Sequence, residues 1–205
     1  MNKVKALVDP YGVCKLEDED IDVIEKILDE SELEWIDGII GTGPDKPEGD
    51  NLTEDLSVRT CKTCFLPVYD ELTEMFGKLV VDYNLNYSGW NFDIEFIESI
   101  QLSHYYDGHF YDWHTDSFVN PVIQNDKPYN RKVSLSVFLN DPEEYEGGEL
   151  DLEIRGPNIE KRYDTFKLPK GSVVVFPSHT WHRVRPVTSG VRKSLVLWIQ
   201  GPPFK

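Results

Sequence analysis

Apolar residues recur at helical spacing in two segments of the first third of the chain. One segment starts at Ile21, after Asp18 and Asp20 as candidate helix caps. A second apolar stripe starts near Pro67, a residue type favoured in the first turn of a helix. Its members are Val68, Leu72, Met75, Phe76, Leu79 and Val80. Residues 40–58, rich in Gly, Pro and Asp, lie between the two predicted helices and are typical of a long surface loop.

After Tyr83 the pattern changes to short segments rich in β-branched and aromatic residues, separated by turn signals. The predicted strands are residues 94–106, 132–140, 148–154, 164–168, 172–177, 182–187 and 193–200. Many short strands at this spacing favour a sandwich or a barrel. We therefore expect a mainly β fold with N-terminal helices packed on one sheet. The chain is predicted to form a single domain over residues 1–205, with residues 1–92 as a helical support region and residues 93–205 as the β core.

Charge and composition narrow the classes of protein to consider. The formal net charge is −16, from 37 acidic and 21 basic residues, and such a surface repels the phosphate backbone, so we expect no nucleic-acid partner. No apolar run approaches the roughly 18 residues of a membrane span, and the first 20 residues lack the features of a secretory signal. A cytoplasmic location is the expectation.

The chain has three cysteines, Cys14, Cys61 and Cys64. An odd number favours reduced structural cysteines over a disulfide framework.

His114 and Asp116 are the first candidates for a metal site. They stand two residues apart in the segment Tyr111-Asp112-Trp113-His114-Thr115-Asp116. In an extended chain, residues i and i+2 project from the same face. An imidazole nitrogen and a carboxylate oxygen could then bind one ion, although the pair alone is a weak signal.

Two histidines compete for the place of third ligand. His182 heads a strand-like run, whereas His179 lies in the turn after the apolar strand Val173–Phe176, so His182 is preferred and His179 is expected at the rim or surface. Two histidines and one carboxylate form the facial triad that leaves iron with open positions. Trp113 and Trp181 flank two of these ligands and are expected to seal the opposite face of the ligand strands.

Arg192 supplies a test that does not depend on the metal ligands. By strand alternation it shares one face with Ser194, Val196 and Trp198. An inward-facing arginine is costly unless it meets an anion, and a guanidinium pairs with a carboxylate through two parallel hydrogen bonds. The distal carboxylate of 2-oxoglutarate would satisfy it. A solvent-facing arginine at the end of a strand is the alternative.

Several sequence blocks follow one another in a fixed order between Ser99 and Gly201. They are Tyr105 with Tyr111-x-x-His114-x-Asp116, Leu135–Asp141, Tyr145–Leu150, Leu168–Gly171 and His182–Arg192. Together they resemble the prolyl 4-hydroxylase-type Fe(II)/2-oxoglutarate oxygenases, and they are especially similar to the bacterial PKHD-type hydroxylases. Weaker similarity reaches Trp35–Gly38 and Arg59-Thr60.

The resemblance implies a double-stranded β-helix, that is, a jelly-roll or cupin-like core. It implies Fe(II) held by His114, Asp116 and His182, 2-oxoglutarate anchored by Arg192, O₂ as the oxidant and ascorbate as a candidate reductant. Tyr105 and Trp198 are implied to contact the cosubstrate, and Arg131 and Tyr111 are candidate substrate contacts. The implied activity is a dioxygenase that hydroxylates a prolyl residue in a peptide or protein and releases succinate and CO₂.

Several alternatives stay open at the level of sequence. The enzyme could act on a free small molecule, or the chain could be a non-enzymatic cupin-type barrel that binds a metal or a ligand. Tyr105 and Tyr111 could be aromatics that fill the barrel, and Arg131 could be a solvated arginine of the predicted loop 117–131. Monomer and homodimer are equally compatible with the sequence.

Overall fold

A computed structural model describes residues 9–38, 40–41, 52–53, 55–67 and 69–204. In these residues the helices are α1 (Asp18–Glu30) and α2 (Asp70–Asp82), and α2 continues into a π-helical turn, Tyr83–Tyr87. A short 3-10 turn, Pro142–Glu144, lies later in the chain. The strands are β1 (Gly12–Lys15), β2 (Ile36–Asp37), β3 (Ile40–Gly41), β4 (Leu52–Thr53), β5 (Arg59–Thr60), β6 (Lys62–Phe65), β7 (Phe96–Ile97), β8 (Gln101–Tyr105), β9 (Phe110–His114), β10 (Val122–Gln124), β11 (Lys127–Phe138), β12 (Tyr145–Gly147), β13 (Leu150–Glu153), β14 (Tyr163–Phe166), β15 (Ser172–Pro177), β16 (His182–Val184), β17 (Val187–Gly190) and β18 (Arg192–Gly201).

The strands form two main antiparallel sheets. The large sheet has the order β1-β15-β11-β18-β8-β6-β2, with β10 paired to β11 and β7 paired to β18, and the small sheet has the order β14-β13-β16-β9-β5. From β8 onward the chain passes back and forth between them: β8, β11, β15 and β18 belong to the large sheet, and β9, β13 and β16 to the small one. This winding is that of a jelly roll and agrees with the expected mainly β class.

Strand alternation divides the buried side chains into two clusters. On β11, Val133, Leu135 and Val137 join the cluster that also contains buried residues of both helices. Phe138 faces the other way and packs with Leu152 of β13 in a second cluster, between the two sheets. The large sheet therefore has one face under the helices and one face toward the interior of the jelly roll, because successive side chains in a strand point to opposite faces.

The first third of the chain is less helical than the sequence pattern predicts. Strand β6 pairs with β8 in the large sheet, and β5 pairs with β9 in the small one. The helix predicted from Pro67 begins at Asp70. Short strands such as β6 depend on partners far away in sequence, so local periodicity does not show them.

The two predicted loops have different outcomes. The segment 117–131 contains β10 and the start of β11, which pair as a hairpin across a turn with positive φ at Asn125 and Asp126. It is therefore a strand pair and not an irregular loop. Of the predicted loop 40–58, residues 42–51 and 54 lie outside the described residues.

No helix of the described part of the chain has the length and apolar character needed to cross a membrane.

The packing of α2 on the large sheet can be tested at Phe76. This side chain is fully buried in the cluster of helix and sheet residues. We expect Phe76→Ala to lower the free energy of unfolding by about 3–5 kcal/mol, because it removes buried apolar surface and leaves a cavity. Val81→Ala, at an exposed position of the same helix, should change it by less than about 0.5 kcal/mol. Urea denaturation measures both, and equal losses would contradict the packing described here.

Candidate active site

Three potential metal ligands meet where β9 and β16 pair. His114 is the last residue of β9, His182 is the first residue of β16, and the two are direct partners in the antiparallel ladder. Asp116 follows β9 by two residues, and its backbone N–H donates to the carbonyl of Ser178. One ligand atom from each side chain lies within 4.8 Å of the other two. The structure thus brings together the His, Asp and His that the sequence singles out.

Both imidazoles are held in the same way. The Nδ1 atom of His114 lies 2.7 Å from the carbonyl oxygen of Asp112, and Nδ1 of His182 lies 2.9 Å from that of Thr180. Because a carbonyl only accepts hydrogen bonds, Nδ1 carries the proton and Nε2 keeps its lone pair. The Nε2 atoms are 3.8 Å and 3.4 Å from the two carboxylate oxygens of Asp116. This is the donor arrangement that a divalent metal needs, with each ring fixed by a second hydrogen bond.

Asp116 is buried and fixed by a pair of serines. Ser134 Oγ donates to Asp116 Oδ2 at 2.7 Å, and Ser134 Oγ is 2.9 Å from Ser178 Oγ. Burial acts to raise the pKa of Asp116, but His182, His114 and Arg131 outweigh it, and the pKa lies below the usual value of an aspartate. The carboxylate is therefore ionised at neutral pH and available to a cation.

One face of the His114 ring is covered by Tyr111. The two rings stack with centroids 3.5 Å apart and an interplanar angle of 11°. Burial lowers the pKa of His114 to about 3, with a further contribution from His182, so that the imidazole is neutral and able to bind a metal. Burial also raises the pKa of Tyr111 to about 12, which keeps its hydroxyl protonated. Arg59 also contacts Tyr111, with its Cζ atom 4.6 Å from the centroid of the tyrosine ring.

Arg192 lies inside the jelly roll and is 1% exposed. Its Nη1 donates to Ser194 Oγ at 2.9 Å, whereas Nε and Nη2 are buried without a hydrogen-bond partner in the described part of the chain. The guanidinium lies 5.4 Å from the Tyr105 ring and 5.3 Å from the Phe138 ring. A buried cation with unused donors is unfavourable unless a ligand supplies acceptors. A carboxylate suits these two nitrogens because it can accept two parallel hydrogen bonds.

Arg192 and the metal ligands face the same interior. Phe138 and Phe176 belong to the cluster between the sheets. Phe138 contacts Arg192, and the Phe176 ring lies 4.8 Å from the ring of His182. The metal ligands and Arg192 thus border the same cluster of interior residues, an arrangement that suits a ligand with an anionic group at each end.

The remaining predicted site residues lie around this interior. Tyr105 is buried beside Arg192, and burial raises its pKa. Trp198 is buried, and its ring lies 3.8 Å from the guanidinium carbon of Arg131. Arg131 is not a solvated loop residue: it lies in β11 and makes a two-point contact with Glu98, at 2.7 Å and 2.6 Å.

The histidine and tryptophan that the sequence placed near His182 differ in outcome. His179 is exposed, as expected, and lines a surface depression of about 640 Å³ with Phe92 and Thr180. Trp181 is 51% exposed, so the expectation that it seals the core is wrong. Trp113 is partly buried and lies under Arg183, with the guanidinium carbon 4.7 Å from its ring. In β16 the side chains of His182 and Val184 point inward. Trp181 precedes the first residue of this strand and lies on the exposed surface.

Sequence reasoning missed Ser134, which donates to Asp116, and Tyr145, which is buried near Arg192. Ser134 could have been suspected because Ser134 and Ser136 alternate with the apolar residues Val133, Leu135 and Val137 on β11. Tyr145 gives no such signal, since an aromatic before a Gly-Gly turn is usual in a β protein.

Comparison with known proteins supports the resemblance drawn from the sequence. Residues 100–200 match the family model described as the 2OG-Fe(II) oxygenase superfamily. A PKHD-type hydroxylase of Synechococcus sp. (strain JA-2-3B'a(2-13)) is 36% identical over 104 residues, which are 51% of this chain and 43% of the relative. The PKHD-type hydroxylase of Aliarcobacter butzleri (strain RM4018) is 40% identical over 101 residues, 47% of this chain and 40% of the relative. The chain thus spans less than half the length of these relatives.

Solved structures share the fold over nearly the whole chain. A Pseudomonas putida prolyl-4-hydroxylase superposes with a TM-score of 0.62 at 17% identity, over 95% of this chain and 94% of that one. A second structure is a prolyl hydroxylase from Trichoplax adhaerens in complex with a hypoxia inducible factor oxygen degradation domain peptide fragment. It superposes with a TM-score of 0.63 at 18% identity, over 93% of this chain and 83% of that one. The predicted similarity to prolyl 4-hydroxylase-like and PKHD-type oxygenases is confirmed.

The role of Ser134 in holding Asp116 can be tested by metal binding. We expect Ser134→Ala to weaken Mn(II) or Co(II) binding by about 10-fold, because side chains that fix a metal ligand typically contribute 10- to 100-fold to affinity. Ser172→Ala, at another buried serine of the large sheet, is the control and should leave affinity unchanged. Calorimetric titration under argon measures both. An unchanged affinity of Ser134→Ala would show that this hydrogen bond does not hold Asp116 for a metal.

Proposed function

Because residues 100–200 belong to the 2OG-Fe(II) oxygenase superfamily, we propose that this chain is an Fe(II)- and 2-oxoglutarate-dependent dioxygenase. In this proposal His114, Asp116 and His182 hold the iron, and Arg192 binds the distal carboxylate of 2-oxoglutarate. The observation that carries it is the buried Arg192 guanidinium, which has two nitrogens without partners in the described residues. It lies against Phe138, in the same interior cluster as the Phe176 ring that contacts His182. A metal site alone would not need that cation.

The protein's own residues supply position and exclusion of water. When bound, iron with 2-oxoglutarate and O₂ supplies the oxidising chemistry that converts the cosubstrate to succinate and CO₂ and a substrate C–H to C–OH. The Nε2 atoms of His114 and His182 and the carboxylate of Asp116 would hold the metal ion as a set of two histidines and one carboxylate. Arg192 would orient the cosubstrate, and the stacked Tyr111 ring covers one face of the His114 imidazole.

We propose a prolyl residue in a peptide or protein as the substrate. This is supported by the similarity to PKHD-type hydroxylases and by the shared fold with a prolyl hydroxylase in complex with a peptide. We assign Arg131 a contact with such a substrate. This is supported by its position on Trp198 and by its proximity to Asp116, whose pKa it acts to lower. Its pairing with Glu98 holds the guanidinium in a fixed orientation.

Two other functions compete with this one. An oxygenase acting on a free small molecule would use the same iron and cosubstrate residues, and only the substrate separates it from the proposal. A non-enzymatic cupin-type barrel would bind a metal or ligand without turnover. The unpaired Arg192 favours an oxygenase over the second alternative, because a simple metal-binding barrel has no use for a buried cation beside its ligands.

The activity can be tested by the formation of succinate. The purified protein with Fe(II), 2-oxoglutarate and ascorbate should form succinate, and His114→Ala should abolish it, because one of three iron ligands is lost. Arg192→Ala should weaken 2-oxoglutarate binding by at least about 30-fold, because it removes the charged partner of a buried carboxylate, and it should leave Mn(II) affinity within about threefold. Lys193→Ala, at the exposed neighbouring position, is the control. If the wild type forms no more succinate than His114→Ala, the proposed enzymatic activity is refuted.

The substrate class can be tested at Arg131. With a proline-containing peptide library, the wild type should give products heavier by one oxygen, detected by mass spectrometry. Arg131→Met keeps the side-chain packing on Trp198 but removes the charge, and we expect it to raise the peptide KM by about 10-fold. The KM for 2-oxoglutarate in the absence of peptide should stay unchanged. Oxygen incorporation into free proline or another small molecule, and into no peptide, would favour the small-molecule alternative.

A further inference from the structure

Tyr145 has a buried hydroxyl group without a partner. The residue opens β12 and is 3% exposed, and its OH has no hydrogen-bond partner in the described part of the chain. A buried hydroxyl left without a hydrogen bond destabilises the folded protein. Its sequence position, before the Gly147-Gly148 turn, suggests only a structural aromatic.

Tyr145 is held in place by contacts with Lys167 and Gly190. Lys167 Nζ donates to the Tyr145 carbonyl oxygen at 2.7 Å and lies 4.6 Å from the ring centroid. On β17, Gly190 is the strand partner of Tyr145, and a Cβ there would lie 2.9 Å from Tyr145 Cα. These contacts fix the backbone at Tyr145 and place the Lys167 ammonium over its ring.

Gly148 brings Tyr145 and Arg192 together. A Cβ at this glycine would lie 3.1 Å from Arg192 Cδ and 3.3 Å from Tyr145 Cε2. The backbone at Gly148, with φ of +66°, thus contacts both side chains, and they converge on the same part of the interior. Burial is the largest influence on the pKa of Tyr145 and raises it, whereas the nearby Arg192 acts to lower it. The raised pKa keeps the phenol protonated at neutral pH and able to donate.

Three unused donors therefore face one region: the Tyr145 hydroxyl and the Nε and Nη2 of Arg192. The Tyr145 oxygen lies near enough to Arg192 to accept a hydrogen bond from it, but the guanidinium offers no acceptor for the phenol O–H, and its second free nitrogen would stay unpaired. A carboxylate has two oxygens and about four lone-pair sites, enough for all three donors.

We propose that Tyr145 and Arg192 together bind the distal carboxylate of the cosubstrate, and that Tyr145 is a specificity residue for 2-oxo acids with a second carboxylate. The inference rests on the proposed function, since it assigns a second residue to the cosubstrate site. Arg192 supplies the charge, and the fixed phenol supplies a third hydrogen bond whose direction depends on the position of the carboxylate. A 2-oxo acid without the distal carboxylate would leave all three donors unpaired.

The proposal can be tested by comparing two 2-oxo acids. Calorimetric titration under argon, with Mn(II)-loaded wild type and Tyr145→Phe, would measure the affinity for 2-oxoglutarate and for 2-oxobutyrate, which lacks the distal carboxylate. We expect Tyr145→Phe to weaken 2-oxoglutarate binding by about 10-fold or more, as for a hydrogen bond to a charged group, and to change 2-oxobutyrate binding by less than about twofold. Tyr129→Phe removes a hydroxyl that bonds Glu95 on another part of the large sheet and should change neither.

Thermal unfolding of the metal-free protein separates binding from a structural role. If the hydroxyl has no partner before the cosubstrate binds, Tyr145→Phe should leave the Tm unchanged or raise it, because an unsatisfied buried polar group is removed. A lower Tm, together with equal loss of affinity for both acids, would show that the hydroxyl supports the fold, and would overturn the proposal. Unchanged affinity for 2-oxoglutarate in Tyr145→Phe would overturn it as well.

The outcomes also separate this inference from the proposed function. Wild-type protein that binds Mn(II) but does not bind 2-oxoglutarate would refute the function, and the assignment of Tyr145 with it. Wild-type binding of 2-oxoglutarate that Arg192→Ala abolishes and Tyr145→Phe leaves intact would support the function and refute the role of Tyr145 alone.

Discussion

The antiparallel pairing of β9 with β16 is the constraint on which the candidate site depends. It sets His182 opposite His114, and a shift of the ladder by one residue would turn one imidazole to the outer face. Ion pairs on the outer face of the small sheet also restrain β16. Asp151 of β13 is fully buried and accepts hydrogen bonds from Arg183 and Arg185, on either side of Val184. Because both arginines project from the side opposite His182, the same ion pairs that hold β16 against β13 also fix the direction of the inward imidazole.

The inner face of the large sheet holds polar groups where a stable core would have apolar ones. Ser134 alternates with Val133 and Leu135 on β11, and Arg192 and Ser194 alternate with Leu195 on β18. The outward members of these strands pack under the helices and supply the apolar burial. The inward members supply donors that the described chain leaves partly unsatisfied. Stability and ligand binding are thus assigned to opposite faces of the same strands, which period-two alternation makes possible.

The sequence predicted the features that depend on local pattern. His114 and Asp116 could be paired because they are close in sequence, and Arg192 because alternation along one strand fixed its face. Features that depend on distant partners could not be predicted: β6 is defined by its pairing with β8, and the orientation of Arg131 by Glu98, 33 positions away. Tyr145 belongs to the second group, since its proximity to Arg192 depends on a glycine turn and on the β12–β17 pair.

Arg131 and Arg192 differ in how their charge is balanced, and this difference bears on what each can bind. Arg131 makes a bidentate pair with Glu98, whose Oε1 also accepts from Gln200. Its charge is therefore compensated within the protein, and its stacking on Trp198 leaves it suited to a neutral polar group such as a peptide carbonyl. Arg192 has no carboxylate within hydrogen-bond distance among the described residues, only Ser194. A full negative charge is needed to balance it in a buried site, since the attraction between charges strengthens as water is excluded. This charge balance thus favours an anionic ligand at Arg192 and a neutral one at Arg131, which is the division expected between a dicarboxylate cosubstrate and a peptide substrate.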